Sequence, residues 1–378
     1  MTFALIAYYL GPRLGIGQYL DRLLPPLSAA LLEKGIEFTI LSSPNAFENT
    51  PAIQQLAERQ KGRVEVLPQL DYAPGKRYYW LATQFNQCCR DRNIDQVVWL
   101  SNPVLLPWHP PTIAVIHDVN EWKAKEKYGS RAKTALRSLI YLDASIQLSQ
   151  TVIAVSQATA EDLIHFRPQL KRSNKLKTIS NGADSSLSSL PEVAIEQSGH
   201  PFLLSVGRID PAAKRLPAAL KLVEAMRSQS DKPWELQLVG GMNTSTQAEG
   251  EAFLNEVKPL DWVYYQGHVE DAELAQWYRQ AAAVVYLSDS EGFGLPIAEA
   301  ASFNQWVVVN QNNQAAVEVG QGSIIPIDPD SPAASAQQVI DQLKTKQPAS
   351  GARSLPTWKA AADSYAETIA HSIEKNNR

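Results

Sequence analysis

An apolar run at Val284–Leu287 leads into Ser288-Asp289-Ser290-Glu291-Gly292-Phe293-Gly294-Leu295-Pro296-Ile297-Ala298-Glu299-Ala300. Gly292 and Gly294 allow a sharp turn and a close approach of ligand to backbone. Pro296 suits a first helical turn, where its missing N–H costs little. The backbone amides of Phe293, Gly294 and Leu295 then head a helix, and a helix N-terminus favours an anion. Glu291 and Glu299 flank this loop. Touching the anion, they would repel it. They fit better as acceptors for hydroxyls on either side of it, as in a sugar, a phosphate bridge and a ribose. The plain alternative is a strand–turn–helix with an ordinary glutamate near the helix start.

A second stretch, Leu203-Leu204-Ser205-Val206-Gly207-Arg208-Ile209-Asp210-Pro211-Ala212-Ala213-Lys214-Arg215, carries cations. A strand brings Gly207 and Arg208 to its end, and Lys214 arrives near the next helix start. Two such cations can neutralise a diphosphate without a metal. Opposite unit charges about 4 Å apart gain about 4 kcal/mol at an effective dielectric near 20, before desolvation is subtracted. A solvated loop Arg and Lys is the alternative.

Other signals are weaker. His117-Asp118 at a strand end reads as a general-base pair or as a histidine beside a capping aspartate. Gly15-x-Gly17 lacks the third glycine of a nicotinamide fingerprint, since Leu20 stands there. Asp328-Pro329-Asp330 has the form of a metal–nucleotide motif but runs into Ser331-Pro332, which favours an exposed turn. The remaining histidines are scattered, and Cys88 and Cys89 are adjacent, so neither a metal site nor a disulfide is expected. Lys123, Lys125, Lys127, Arg131, Lys133 and Arg137 form a basic cluster that suits a solvated helix face or an anionic headgroup.

The elements that must position these residues alternate between strands and helices. Strands are expected at Phe3–Tyr9, Phe38–Leu41, Val64–Leu67, Val97–Leu100, Ile113–Ile116 and Val152–Val155. Helices are expected at Gln18–Leu32, Tyr78–Arg92, Arg131–Leu148 and Ala158–Phe166. The breaker-rich stretch from Ser180 to Pro201 reads as a linker, and Asn45–Gln60 as a loop. Alternation resumes with strands at Phe202–Val206, Leu236–Val239, Val263–Tyr265, Val284–Leu287, Val307–Val309 and Ile324–Ile327. The helices there are Leu216–Ser228, Glu249–Val257, Asp271–Gln280, Pro296–Phe303 and Ala334–Lys344, with a last one from Thr357 to about Ile373. Such βαβ units imply an α/β fold of two parallel-sheet, Rossmann-like lobes with a ligand in the cleft between them.

Together these stretches resemble the retaining nucleotide-sugar glycosyltransferases of the two-lobed GT-B fold, the group-1 or family-four type. Glu291 and Glu299 around Gly-Phe-Gly-Leu-Pro match that family's signature. Tyr265-Gln266-Gly267-His268-Val269 is similar to its nucleobase loop, and Gly15-Ile16-Gly17 to its first glycine loop, often in mannosyltransferases. The resemblance implies that Arg208 and Lys214 hold the donor diphosphate beside Gly207. It implies that Glu299 binds the ribose and Glu291 the transferred sugar. Phe293, Gly294 and Leu295 would offer backbone amides, and His268 and Val269 would lie at the base. Gly17 would admit the diphosphate, and His117 would contact the donor sugar. After Glu299, Asn304 stands where the family usually has glycine, and Trp306 is a larger departure.

The implied organisation is an acceptor-side lobe at 1–190, a nucleotide-sugar lobe at 191–355, and a C-terminal helix at 356–378 packing back towards the first lobe. The implied reaction moves a sugar from a nucleotide diphosphate to a glycan, lipid-linked or other hydroxyl acceptor, with no cofactor or metal required. The glycine loop leans towards mannose and GDP-mannose; a UDP-sugar donor, or a non-catalytic nucleotide-sugar-binding subunit, is the alternative. The chain has 378 residues, 44% hydrophobic and 20% charged, with net charge −4. That excludes a disordered chain and argues against nucleic-acid binding through bulk positive charge. The start reads as a strand rather than a signal peptide, and no run approaches the roughly 18–20 apolar residues of a membrane span. A cytoplasmic enzyme, with at most peripheral membrane contact, is therefore expected.

Overall fold

The computed structural model describes residues 2–9, 15–60, 63–101, 109–123, 142–242, 246–345, 348 and 356–376. The chain forms two compact units, Met1–Gly182 with Pro356–Arg378, and Ala183–Leu355.

In the first unit the strands are β1 (Thr2–Ala7), β2 (Phe38–Ser42), β3 (Val64–Val66), β4 (Ile94–Trp99), β5 (Thr112–Ile116), β6 (Thr151–Ala154) and β7 (Leu176–Thr178). They lie in the order β3-β2-β1-β4-β5-β6-β7, all parallel. The central strands are nearly continuous apolar runs because both faces are covered. The edge strands β3 and β7 are three residues each. β7 is too short to stand out from its polar surroundings, and sequence reading passes over it.

The region expected as a loop at Asn45–Gln60 holds two helices, α1 being Gly15–Glu33, α2 Pro44–Asn49 and α3 Pro51–Arg59. Pro44 and Pro51 read as breakers, but both sit in a first helical turn. Ser43 caps α2 by accepting from the Ala46 amide at 3.1 Å. The single helix expected at Tyr78–Arg92 is two, α4 (Pro74–Thr83) and α5 (Phe85–Arg90), broken at Gln84. The break lets Trp80, Leu81, Phe85 and Cys89 all enter one core with Trp99. Of the helix expected at Arg131–Leu148, the part up to 141 lies outside the described residues, and Ala144–Leu148 is helical. Of the basic cluster, Lys125, Lys127, Arg131, Lys133 and Arg137 lie outside them too; Lys123 pairs with Asp162 at 2.5 Å.

The helix Trp358–Asn376 belongs to this unit and packs on α1. Tyr19 donates to the Tyr365 hydroxyl at 3.0 Å, and Trp358 meets the Tyr19 ring edge-on. At the other end of the helix Ser372 accepts from Gln96 at 2.7 Å.

In the second unit the strands are β8 (Phe202–Val206), β9 (Glu235–Val239), β10 (Val263–Gly267), β11 (Ala283–Tyr286), β12 (Val307–Asn310) and β13 (Ile324–Ile327), in the order β10-β9-β8-β11-β12-β13. Parallel pairing sets Leu203 opposite Ala283 and Leu204 opposite Val284. The chain winds one way from β8 and the other way from β11. Their carboxyl ends therefore mark the switch point where an open α/β sheet offers a crevice. The stretch read as a linker is anchored at its start: Leu187 is buried, and Arg279 donates to the carbonyls of Ser188 and Leu190.

At the ends of β8 and β9 two glycines meet. Gly207 and Gly240 have φ of 137° and 140°, and a Cβ on Gly240 would lie 1.9 Å from the Gly207 carbonyl oxygen. Gly240→Ala is expected to lower stability by at least about 2 kcal/mol, combining backbone strain with displacement of the Gly207 peptide. Urea unfolding checks this; an unchanged midpoint would show that the two strand ends are not held together.

Candidate functional site

The switch point of the second unit collects most of the residues the sequence points to. β8 leads into Gly207, whose amide donates to the Val239 carbonyl at 2.9 Å. Arg208 follows, partly exposed, and its guanidinium donates to Asp210 at 2.8 Å. Its Nε is buried without a partner. Asp210 also accepts from the Ala213 amide at 3.0 Å, and its carbonyl accepts from the Lys214 amide at 2.9 Å. One carboxylate thus shapes the turn that carries both cations.

The Lys214 ammonium donates to Glu291 Oε1 at 2.6 Å and to the Tyr286 hydroxyl at 3.0 Å. Both ion-pair side chains are 19% exposed. Burial opposes the Lys214 charge, but Glu291 and the hydrogen bonds to Glu291 and Tyr286 hold the amine above its ordinary range. Burial likewise pushes the Glu291 carboxyl up, and the Lys214 charge and hydrogen bonds outweigh it, so Glu291 titrates below its usual range. Tyr286, the last residue of β11, is pushed up by burial and by Glu291, partly offset by Lys214. Sequence reading missed Tyr286, because it looks like one more apolar strand residue.

Arg215 stands next to Lys214 in a left-handed conformation, φ 49°. It donates to Asp289 at 2.8 Å and pairs with Asp330. Asn310 also donates to Asp289, at 2.9 Å. Two successive basic residues therefore hold Asp289 and Glu291 apart on separate partners. Asp328-Pro329-Asp330 forms a turn in which Asp328 accepts from the Asp330 amide and the Ser331 hydroxyl. Among the described residues no group of His, Cys, Asp and Glu is placed to hold a metal.

The helices of this unit are numbered on from three short ones in the first, α6 (Asn120–Lys123), α7 (Ala144–Leu148) and α8 (Gln157–Phe166). They are α9 (Leu216–Gln229), α10 (Gln247–Val257), α11 (Asp271–Gln280), α12 (Leu295–Ser302), α13 (Gln314–Gly320) and α14 (Pro332–Lys344). Gly294 precedes α12 with φ 91°, and a Cβ there would press on Ile297 at 2.9 Å. Phe293 and Leu295 are buried. Glu299 lies inside α12, 1% exposed, and accepts from the Tyr278 hydroxyl of α11 at 2.8 Å. Tyr278 stacks on Phe303, with centroids 5.3 Å apart. Asn304 takes the left-handed turn at φ 55°, and Trp306 packs against the core of this unit. After β10, His268 is exposed and Val269 half-buried.

Gly17 and His117 lie in the first unit. Gly17 is buried in the first turn of α1. His117 follows β5; its Nε2–H donates to the Leu100 carbonyl at 2.7 Å, and Tyr19 packs edge-on at 4.6 Å between centroids. Burial lowers its pKa, outweighing the Leu100 carbonyl and Asp118, which keeps the ring neutral at pH 7. Asp118 accepts from the Asn120 amide at 3.0 Å, just before α6.

The site thus brings Lys214, Glu291 and Tyr286 into direct contact, sets Arg208 beside Asp210, and encloses Glu299 with Tyr278. The pair has a defined pH window. Glu291 is lowered from 4.5, so its contribution is present above pH 4.5 and lost as pH falls through the depressed value. Lys214 is raised from 10.5, so its contribution is present below pH 10.5 and lost as pH rises through the raised value. A Lys214→Met, Glu291→Gln double-mutant cycle is expected to give about 1–3 kcal/mol of coupling, constant from pH 5 to 9 and declining as the pH falls below 4.5. Urea unfolding from pH 9 down into the acid range checks it, and coupling of the same size at every pH would contradict the ion pair.

Two family models match in tandem: Glycosyltransferase Family 4 over residues 23–187 and Glycosyl transferases group 1 over 190–353. A serotype-specific mannosyltransferase, WbdA of Escherichia coli, is 24% identical over 243 residues, 59% of this chain and 29% of its own. The chain thus spans less than a third of the length of that curated relative. Sucrose-phosphate synthase from Thermosynechococcus elongatus superposes with a TM-score of 0.70 at 18% identity, over 99% of both chains. Anabaena HepE, solved with UDP and glucose, gives 0.66 at 17% identity, over 98% of this chain and 99% of that one. These structures share two parallel-sheet α/β domains with the present chain, which belongs to the group-1 glycosyltransferases of the GT-B fold.

Proposed function

We propose that the chain transfers a sugar, mannose as the first choice, from a nucleotide diphosphate to a hydroxyl acceptor with retention of anomeric configuration. The observation that carries this reading is the Lys214–Glu291 pair beside Arg208 at the switch point. A buried ion pair adds little to stability compared with well-packed apolar groups. Its presence at a ligand crevice favours a binding role. Arg208, with one buried Nε–H still to satisfy, and Lys214 supply positive charge to the diphosphate and to the leaving nucleotide. Glu291 accepts from the transferred sugar and Glu299 from the ribose. His117 is assigned to the sugar and Gly17 to the diphosphate; Gly207, Phe293, Gly294 and Leu295 offer backbone, and His268 and Val269 meet the base. The departing phosphate takes the acceptor proton, so catalysis consists of positioning and charge stabilisation.

The mannosyltransferase relative supports mannose, for which GDP-mannose is the donor proposed here, and the HepE likeness keeps a UDP-sugar as the second reading. The acceptor is a glycan or lipid-linked hydroxyl, handled in the cytoplasm or at the membrane face. Among the described residues no helix is long and apolar enough to cross a membrane.

Thermal unfolding with excess GDP or UDP separates the donors, since ligand at about 100 times its Kd adds roughly 2.7 kcal/mol. A shift with GDP alone supports mannose; a shift with UDP alone overturns it. Arg208→Ala and Lys214→Ala are expected to lower turnover at least 100-fold while the protein stays folded, and unchanged turnover in both would remove the transferase assignment. Glu291→Gln separates two roles. It releases Lys214 from an internal anion, so free nucleoside diphosphate should bind several-fold more tightly while sugar transfer falls. Calorimetry with nucleoside diphosphate reads the first effect; weaker binding would place Glu291 on the nucleotide rather than on the sugar.

A further inference from the structure

We propose that Tyr286 is a positioning residue for sugar transfer, its phenol fixing the Lys214 ammonium where it meets the Glu291 carboxylate. The proposal rests on the donor-binding reading of Lys214 and Glu291 above.

The strand itself does not need the hydroxyl. β11 is buried along its length, and Ala283, Val284 and Val285 before Tyr286 are wholly apolar. Phenylalanine would fill nearly the same volume. A phenol buried in such a place costs free energy unless its O–H finds a partner. Here its oxygen accepts from Lys214 Nζ at 3.0 Å, and Lys214 in turn donates to Glu291 at 2.6 Å. The ammonium also lies 4.8 Å from the ring centroid.

This matters because lysine is a point charge on a flexible stem. With Glu291 as its only anchor, the ammonium would follow that carboxylate, or be released when a diphosphate competes for it. The phenol is rooted in a buried strand and stays where it is. Once a diphosphate engages Lys214 and the sugar hydroxyls engage Glu291, Tyr286 remains hydrogen-bonded to the ammonium. It keeps the grip on the leaving group in place when Glu291 turns to the transferred sugar. Burial and Glu291 keep the phenol protonated, so it does not act as a base.

The test uses the full chain, with GDP-mannose or UDP-glucose according to which nucleotide stabilises it. Y286F is expected to lower kcat about tenfold, with the donor KM and the nucleoside-diphosphate Kd changed less than threefold. The double variant K214A/Y286F should be no slower than K214A alone, because the phenol acts through Lys214. Tyr286→Met fills the space without a hydroxyl and should repeat the Y286F result, which covers a failure of Y286F to fold. Wild-type kcat in Y286F overturns the proposal, and so do losses that multiply in the double variant, since a purely structural role would give those. A wild-type chain that neither binds nucleoside diphosphate nor turns over a donor overturns the donor-binding reading itself, which is a different result.

Discussion

The Lys214–Glu291 pair constrains everything around it. Two charges removed from most of their water must be close and well oriented, or each is a liability. The 76 residues between them therefore have to fold so that their side chains meet at 2.6 Å. Sheet order makes this happen. β8 and β11 are distant in sequence but adjacent in the sheet, so the loops after them emerge side by side. The local devices then follow. Asp210 ties the turn that carries Lys214, and Gly207 and Gly240 let the strand ends approach closely. Arg215 accepts a left-handed backbone so that Asp289 is drawn to it and does not compete for Lys214. Such strain is tolerated where surrounding contacts over-determine it.

Much of this was legible in the sequence, for identifiable reasons. Strands buried on both faces are runs of Val, Ile and Leu, and β11 and β12 fall where those runs lie. The Glu291–Glu299 stretch announces its strand–turn–helix through two glycines and a proline, each doing a local job. What escaped reading depends on distant partners. Tyr286 is the fourth residue of an apolar run, and only Lys214, 72 residues earlier in the chain, makes its hydroxyl meaningful. Gly240 acquires its importance from the Gly207 carbonyl. Pro44 and Pro51 look like loop residues until the chain behind them turns helical. The break at Gln84 exists because Trp80 and Phe85 must both reach one core, which periodicity alone does not show.

The two glutamates of the signature are alike in sequence and unlike in setting, and the difference bears on what each can do. Glu291 lies in the loop before α12, with a fifth of its side chain exposed and an ammonium as partner. Its partner is a mobile kind of group, so it can exchange that contact for another. Glu299 lies a turn into α12, almost wholly enclosed, with a tyrosine hydroxyl from α11 fixed against it. Tyr278 is itself fully buried and stacked on Phe303, so this acceptor is held rigidly. A carboxylate in that position suits a ligand part that is the same in every turnover, as a ribose would be. One that can trade partners suits the sugar proposed to be transferred. Eight residues of spacing place one carboxylate in the loop before α12 and the other inside the helix, and the neighbours of each, rather than the residue type, set what it is free to do.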